Sequence, residues 1–255
     1  MQGPAYNPHP MTRRLVLFDI DGTLITDGGA SREGFGRALT EIYDYNSDLS
    51  RYDFSGRTDP QIARMVLRDE GFSDLEITER LPDLWASYLG YLEQNATTDR
   101  VRALPGMKAL VEALAGEPGV TLALLTGNIE KGARLKLAPP QLNHHFPFGA
   151  FGSDSADREQ LPPFAVDRAA VVHGHRFTGA DIVIIGDSVY DVRCGVPYQA
   201  TTIAVASGKT PGETLRAENP RHFFESGEDL AAMLNAILGS GRQSRGMRTL
   251  PPTRS

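Results

Sequence analysis

Three short apolar runs in this chain end directly in polar residues that a hydrophobic core cannot hold without compensation. The runs and the residues that follow them are 15–18 with Asp19 and Asp21, 120–125 with Thr126, and 182–185 with Asp187. Runs of this length and composition are typical of strands that are buried on both faces, as in a parallel sheet. Because ligands of open α/β sheets lie beyond the carboxyl ends of the strands, these polar residues predict one shared site.

The remaining pattern predicts an α/β fold. Helix-period stretches at 106–115 and 164–173 alternate with the strands, and further strands are predicted at 202–206 and near 148–151. We therefore expect a three-layer Rossmann-like core with a mostly parallel sheet.

The stretch between the predicted strands at 15–18 and 120–125 is much longer than an ordinary crossover connection. It shows no strand pattern. It carries three helical patterns, at 32–43, 59–70 and 77–94, which predict a small all-helical cap domain inserted after the first strand. The predicted division is a disordered N-terminus at 1–10, the Rossmann-like core at 11–27 and 101–240, the helical cap at 28–100, and a disordered C-terminal tail at 241–255.

The composition is that of a soluble globular enzyme, with 40% apolar and 23% charged residues. The formal net charge of −6 argues against a nucleic-acid backbone or an anionic membrane as the main partner. The single cysteine, Cys194, excludes an intramolecular disulfide, and no apolar run approaches the roughly 20 residues that span a bilayer. We expect a cytoplasmic protein, and no oligomeric partner is implied.

Asp19 and Asp21 are candidate catalytic and metal-binding residues. Alternation along a strand would place both carboxylates on the same side. Two close carboxylates repel each other, and a bound divalent cation usually compensates this repulsion. Asp187 and Asp191, four residues apart after another strand, also suit a cation such as Mg²⁺. Taken alone, Asp187 fits a helix-capping role equally well.

Thr126, Gly127 and Asn128 are candidate phosphate-binding residues. The Thr126 hydroxyl can donate to a phosphate oxygen, and Gly127 lets the backbone approach that oxygen closely. Small polar residues after a strand are common. This motif therefore indicates a functional site only in combination with the two strands that end in aspartate.

Together the three motifs resemble those of the haloacid dehalogenase-like (HAD) superfamily. DIDGTL at 19–24 matches its first motif, the apolar run into Thr126 matches its second, and GDSVYD at 186–191 matches its fourth. The resemblance covers about residues 13–235, and the helical insert is similar to the type 1 cap of the superfamily. Within the superfamily, this chain is most similar to the phosphoglycolate phosphatase-like and β-phosphoglucomutase-like branch.

The resemblance implies a Mg²⁺-dependent phosphoryl transfer in two steps. Asp19 would be the nucleophile and form an aspartyl-phosphate, and Asp21 would act first as general acid and then as general base. Mg²⁺ would be held by Asp19, the main-chain carbonyl of Asp21 and Asp187. Asp191 would orient the groups around the cation. The phosphate-binding residues would be Thr126, Gly127, Asn128 and Arg158.

Arg158 marks the point where this sequence departs from the superfamily. A lysine normally precedes the fourth motif by one helix, but this chain has no lysine between Lys136 and Lys209. Arg158, just ahead of the predicted helix at 164–173, is the best substitute. Its guanidinium could pair with Asp19 and with the phosphate, although with different geometry from the point charge of a lysine.

The favoured function is hydrolysis of a small phosphorylated metabolite: phosphoglycolate, a sugar phosphate or a nucleotide. The acid at Asp21 favours phosphate esters as substrates over halides and phosphonates. The resemblance implies this, because dehalogenases and phosphonatases of the superfamily lack an aspartate at this position. A phosphoglucomutase-like isomerase that uses the same aspartyl-phosphate and a non-catalytic phosphate-binding module remain as alternatives. Arg57, in a predicted loop of the cap, is either a contact to a second anionic group of the substrate or a surface arginine.

Overall fold

The computed structural model describes residues 13–239, and the predicted disordered termini at 1–10 and 241–255 lie outside this range. The strands are β1 (Arg14–Phe18), β2 (Ile25–Thr26), β3 (Arg102–Ala103), β4 (Val120–Leu125), β5 (Gly149–Ala150), β6 (Ile182–Gly186), β7 (Thr201–Val205) and β8 (His222–Phe224). Six of them form a parallel sheet in the order β5-β4-β1-β6-β7-β8.

Nine α-helices and five 3₁₀ turns connect these strands within residues 13–239. The helices are α1 (Ala30–Tyr43), α2 (Asp59–Asp69), α3 (Asp74–Asn95), α4 (Met107–Ala115), α5 (Glu130–Leu137), α6 (Leu161–His173), α7 (Val189–Gly195), α8 (Gly212–Ala217) and α9 (Leu230–Leu238). The 3₁₀ turns are Leu49–Arg51, Asn143–His145, Arg158–Gln160, Gly179–Asp181 and Val196–Tyr198.

Helices cover both faces of the sheet, and β1 shows how. Leu15 and Leu17 pack on the side that contains α6, while Val16 and Phe18 pack on the side that contains α4 and α9. All four side chains are fully buried. A strand buried on both faces reads as a continuous apolar run, which is why β1, β4 and β6 could be predicted. The predicted three-layer α/β core is confirmed.

Helices α1, α2 and α3 form a helical insert between β2 and β3. Their aromatic and aliphatic side chains make a hydrophobic cluster of their own, in which the rings of Phe35 and Tyr88 meet edge-to-face at 5.8 Å. Thr58 caps α2, which has a proline in its first turn. Ser73 and Glu76 form a capping box that begins α3. These end signals mark the starts of α2 and α3, and all three helical patterns correspond to observed helices.

Strands β2 and β3 were not predicted. They pair antiparallel where the chain enters and leaves the helical insert, with Ile25 opposite Ala103 and Thr26 opposite Arg102. A strand of two residues has no measurable periodicity, so only the tertiary pairing defines it. No helix within residues 13–239 combines the length and apolarity that crossing a membrane requires.

Candidate active site

The carboxyl ends of three neighbouring strands bring the predicted site residues together. β1 lies between β4 and β6 and is parallel to both. Asp19 follows β1, Thr126 follows β4, and Asp187 follows β6. The Asp19 N–H donates to the carbonyl of Ile185 over 3.0 Å, which ties the end of β1 to β6. The three strand-end motifs therefore share one edge of the sheet.

Arg158 lies between two buried carboxylates at this edge. Its Nη2 donates to Asp19 Oδ1 over 2.7 Å and to Asp191 Oδ1 over 2.5 Å. All three side chains are at most 8% exposed. Arg158 lies in the 3₁₀ turn before α6. Asp157 caps this turn, because its side chain accepts a hydrogen bond from the N–H of Glu159. The structure thus places Arg158 against Asp19, as expected for the substitute of the superfamily lysine.

The negative charge at this edge exceeds the positive charge of Arg158. Burial raises the pKa of Asp19 to about 7, against the opposing charge of Arg158 and with support from Asp191. Burial and the charges of Asp19 and Asp191 also raise the pKa of Asp187 well above its usual range. The Thr23 hydroxyl donates to Asp187 Oδ1 over 3.1 Å, but it brings no charge.

These carboxylates fit a divalent cation. One ligand oxygen from each of Asp19, Asp187 and Asp191 lies within 4.8 Å of the other two. Asp191 is already engaged by Arg158 and by the N–H and hydroxyl of Ser188. Asp19 and Asp187 are therefore the carboxylates best placed to hold Mg²⁺, which prefers oxygen ligands. Burial, together with the charges of Asp19 and Asp191, raises the pKa of Asp187, and a bound cation would favour its ionised form.

Asp21 belongs to a second ion pair, whose cation was not predicted. Lys136 Nζ donates to Asp21 Oδ2 over 2.8 Å and to Asn128 Oδ1 over 2.5 Å. Asn128 Nδ2 donates to the same Asp21 oxygen over 2.7 Å and to Thr126 Oγ1 over 2.8 Å. Asn128, predicted to bind phosphate, thus also holds Asp21.

The sequence of α5 contains a signal that would have pointed to Lys136. The buried positions of this helix are Gly132, Ala133, Lys136 and Leu137, so the lysine lies on the apolar face. Lysine is almost never fully buried unless it is paired. A lysine at such a position, in the helix that follows a strand-end motif, indicates an acidic partner in the site.

The helical insert contacts the core next to the second motif. The N–H of Asp59, the first residue of α2, donates to the carbonyl of Gly127 over 2.7 Å. Asp59 Oδ2 accepts from the N–H of Ile129 over 2.8 Å, and Thr58 Oγ1 donates to the carbonyl of Ala156 over 2.7 Å. Burial raises the pKa of Asp59 to about 6. These bonds hold the N-terminus of α2 against the site.

A cavity of about 430 Å³ lies between the helical insert and the edge of the sheet. Its lining includes Asp19, Asp21, Thr126, Gly127, Asn128, Arg158 and Asp187 from the core, and Arg32, Phe54, Arg57 and Ile62 from the insert. Asp191 contacts this group through Arg158. The half-buried Arg57 donates from Nε to the carbonyl of Asp53 over 3.1 Å, and its guanidinium carbon is 5.7 Å from the centre of the Tyr190 ring.

We expect Gly56→Ala to weaken the contact between insert and core. Gly56 has φ +68°, and an added Cβ would lie 2.4 Å from Ser188 Oγ and 2.6 Å from the Tyr190 ring. Such overpacking costs about 1–3 kcal/mol. Hydrogen exchange in the peptide that contains Asp59 should therefore accelerate by about tenfold, as measured by mass spectrometry.

Gly71→Ala is the matched control for this experiment. Gly71 also has a positive φ, +88°, but an added Cβ would meet no atom within 4 Å. An alanine there would have similar backbone strain, and the position is exposed. Equal acceleration in both variants would show that strain, rather than the contact with Ser188 and Tyr190, controls exchange at Asp59.

Mg²⁺ should raise the melting temperature more near pH 8 than near pH 5.5. Because the pKa of Asp19 is raised to about 7 and that of Asp187 is also raised, protons compete with the cation for these carboxylates in the acidic range. A carboxyl whose pKa is higher in the folded state stabilises the fold while protonated, and this contribution is lost between about pH 4 and about pH 7. A bound cation supplies compensating charge above that range.

Thermal unfolding with and without Mg²⁺ at the two pH values tests this expectation. Asp187→Asn should lose the response to Mg²⁺, whereas Asp167→Asn, in an exposed pair with Arg176, should keep it. A Mg²⁺-induced rise that is as large near pH 5.5 as near pH 8 would contradict the assignment of these carboxylates.

Known proteins and family models match this chain over most of its length. A family model described as haloacid dehalogenase-like hydrolase matches residues 16–195, and another described as HAD-hydrolase-like matches residues 161–230. A phosphoglycolate phosphatase of Psychrobacter arcticus is 23% identical over 233 residues, which cover 89% of this chain and 97% of the relative.

Solved structures share the fold at low sequence identity. A predicted phosphoglycolate phosphatase from Haemophilus somnus has a TM-score of 0.65 and 19% identity, over 87% of this chain and 98% of that one. A protein from Bacteroides vulgatus, provisionally described as a β-phosphoglucomutase, has a TM-score of 0.61 and 20% identity, over 89% of each chain. Because the first family model spans more than half of the chain and all three strand-end motifs, this protein belongs to the haloacid dehalogenase-like hydrolase family, and the expectation of a HAD-like phosphatase is confirmed.

Proposed function

We propose that this enzyme uses Mg²⁺ to hydrolyse a small phosphomonoester through an aspartyl-phosphate on Asp19. The observation that carries the proposal is the buried ion pair of Asp19 with Arg158, beside Asp187 and at the wall of a cavity that also contains Asp21. This arrangement supports a nucleophilic role for Asp19, phosphate binding by Arg158 and acid–base catalysis by Asp21 in one cavity.

In the proposed first step, a carboxylate oxygen of Asp19 attacks phosphorus, and the bond from phosphorus to the leaving-group oxygen breaks. Asp21, protonated at this stage, gives its proton to that oxygen. Arg158 holds one oxygen of Asp19 over 2.7 Å and so restricts rotation of the attacking carboxylate. Mg²⁺ bound by Asp19, Asp187 and the main-chain carbonyl of Asp21 would reduce the repulsion between carboxylate and phosphate.

Thr126 is the proposed hydroxyl donor to the phosphate. Its Oγ1 accepts from the N–H of Asn128 over 3.3 Å and from Asn128 Nδ2 over 2.8 Å. Both bonds use lone pairs of the hydroxyl oxygen, so its proton remains free for a phosphate oxygen. Asn128 therefore orients Thr126 as well as Asp21.

In the proposed second step, water attacks phosphorus of the aspartyl-phosphate, and the bond from phosphorus to Asp19 breaks. Asp21, now a carboxylate, takes a proton from the water. Inorganic phosphate leaves, Asp19 is again a carboxylate, and Asp21 is again protonated. The same residue thus acts as acid and then as base.

A small leaving group that carries its own negative charge fits the cavity best. The volume of about 430 Å³ lies at the lower end of the range for ligand pockets. Arg32 and Arg57 of the insert and the exposed Lys209 of the core add positive charge to its lining. Phosphoglycolate has these properties, and the relative from Psychrobacter arcticus is a phosphoglycolate phosphatase.

Phosphate release from a panel of phosphomonoesters tests the proposal. With Mg²⁺, the wild type should release phosphate, with preference for esters of small hydroxy acids. Asp19→Asn should abolish release, and Asp21→Asn should lower kcat by about 10²–10⁴-fold, because it removes acid–base assistance. Asp167→Asn, on the exposed surface, should retain wild-type rates.

Two outcomes would contradict the hydrolase. Conversion of β-glucose 1-phosphate in the presence of its bisphosphate, without net phosphate release, would identify an isomerase. Saturable phosphate binding with no turnover of any ester would identify a binding module. Full activity of Asp19→Asn would overturn the assignment of the nucleophile.

A further inference from the structure

Lys136 is a buried cation to which neither the family motifs nor the steps above assign a role. Its side chain is 3% exposed, and its ammonium donates to Asp21 Oδ2 over 2.8 Å and to Asn128 Oδ1 over 2.5 Å. A buried ammonium is costly unless neighbouring groups compensate its charge. Its presence beside Asp21 therefore calls for a physical explanation.

Neighbouring acidic groups keep Lys136 charged. Burial acts against the ammonium, but Asp21, Tyr88, Asp27 and Asp59 together outweigh it and raise the pKa of Lys136 above its ordinary value. Asp27 accepts from the N–H of Ser31 in the first turn of α1, and Asp59 is the first residue of α2. Lys136 is thus a fixed positive charge between the catalytic candidate Asp21 and the helical insert.

The ammonium determines which way the Asn128 amide points. An ammonium has only donors, so it can bond to the amide oxygen but not to the amide nitrogen. With its oxygen toward Lys136, Asn128 directs its NH₂ group to Asp21 Oδ2 over 2.7 Å and to Thr126 Oγ1 over 2.8 Å. A flipped amide would set nitrogen against Lys136 and oxygen against the Asp21 carboxylate, and both contacts are repulsive.

The two donors converge on one oxygen of Asp21. Both Lys136 and Asn128 bond to Oδ2, and no residue within 13–239 donates to Oδ1. The Asp21 side chain is 41% exposed and lines the cavity. One oxygen is thereby held by the protein while the other is left for proton exchange with the leaving group or with water.

We propose that Lys136 is a positioning residue that locks the Asn128 amide and, through it and directly, aims the free oxygen of Asp21 at the reacting phosphate ester. This rests on the proposed role of Asp21 as general acid and base. The competing role is structural: Lys136 would merely compensate buried carboxylates and support folding. Only the positioning role makes the effect of Lys136 depend on how much the leaving group needs a proton.

Two substrates separate these roles. An alkyl phosphate has a poor leaving group that needs protonation, whereas p-nitrophenyl phosphate has a good leaving group that does not. Lys136→Met keeps an unbranched side chain, one atom shorter, and removes the donor. It should lower kcat/KM for the alkyl ester by about 10²-fold and for the aryl ester by less than about tenfold.

Matched variants complete the experiment. Lys131→Met removes an exposed lysine of the same helix and should leave kcat/KM unchanged for both esters. Lys136→Gln keeps a polar group of similar size, but its amide can bond to either end of Asn128, so it should show the same dependence on the leaving group. In an Asp21→Asn background, Lys136→Met should cause no further loss, because it acts through Asp21.

Equal losses with both esters, no loss with either, or an additional loss in the Asp21→Asn background would overturn the positioning role. The proposed function fails differently. If Asp21→Asn itself shows no dependence on the leaving group, the general acid assignment is wrong whatever Lys136 does.

Discussion

The edge of the sheet that holds the site concentrates carboxylates where the surrounding strands are buried on both faces, and such groups destabilise a fold unless a cation compensates them. Arg158 provides this compensation by bonding to Asp19 and Asp191 at once. The ion pair links the end of β1, the turn before α6 and the start of α7. Because the guanidinium of Arg158 bonds to Asp19 and Asp191, the third buried carboxylate of this cluster, Asp187, has no guanidinium partner among the described residues, and its oxygen suits a divalent cation.

Asp21 lies only two residues from Asp19 but has different surroundings. Asp19 is 8% exposed and pairs with Arg158, whereas Asp21 is 41% exposed and pairs with Lys136. Separate environments are what two carboxylates need when one is to attack and the other is to exchange a proton. The helical insert covers part of the same space, and Asp59 contacts Gly127 there, so the chemistry proposed for the pair would take place in a cavity between the insert and the sheet.

The sequence predicted those features that depend on local pattern. An apolar run that ends in acid predicted that Asp19 and Asp187 lie at one edge of the sheet, and the family resemblance predicted a cation beside Asp19, where the structure has Arg158. Lys136 was missed because no motif called for it and α5 has only eight residues. The bond between Asp59 and Gly127 joins segments 68 positions apart, so only tertiary packing defines it. Local periodicity cannot report which side chain of one element meets which carboxylate of another.

Chemical trapping tests most directly whether phosphate passes through a covalent bond to Asp19. Enzyme turning over a phosphomonoester with Mg²⁺ would be quenched in acid and reduced with borohydride, which converts an aspartyl-phosphate to homoserine. Mass spectrometry should find homoserine at position 19 in the wild type and none in Asp19→Asn. Steady phosphate release with an unmodified Asp19, or with the label on another residue, would contradict the account.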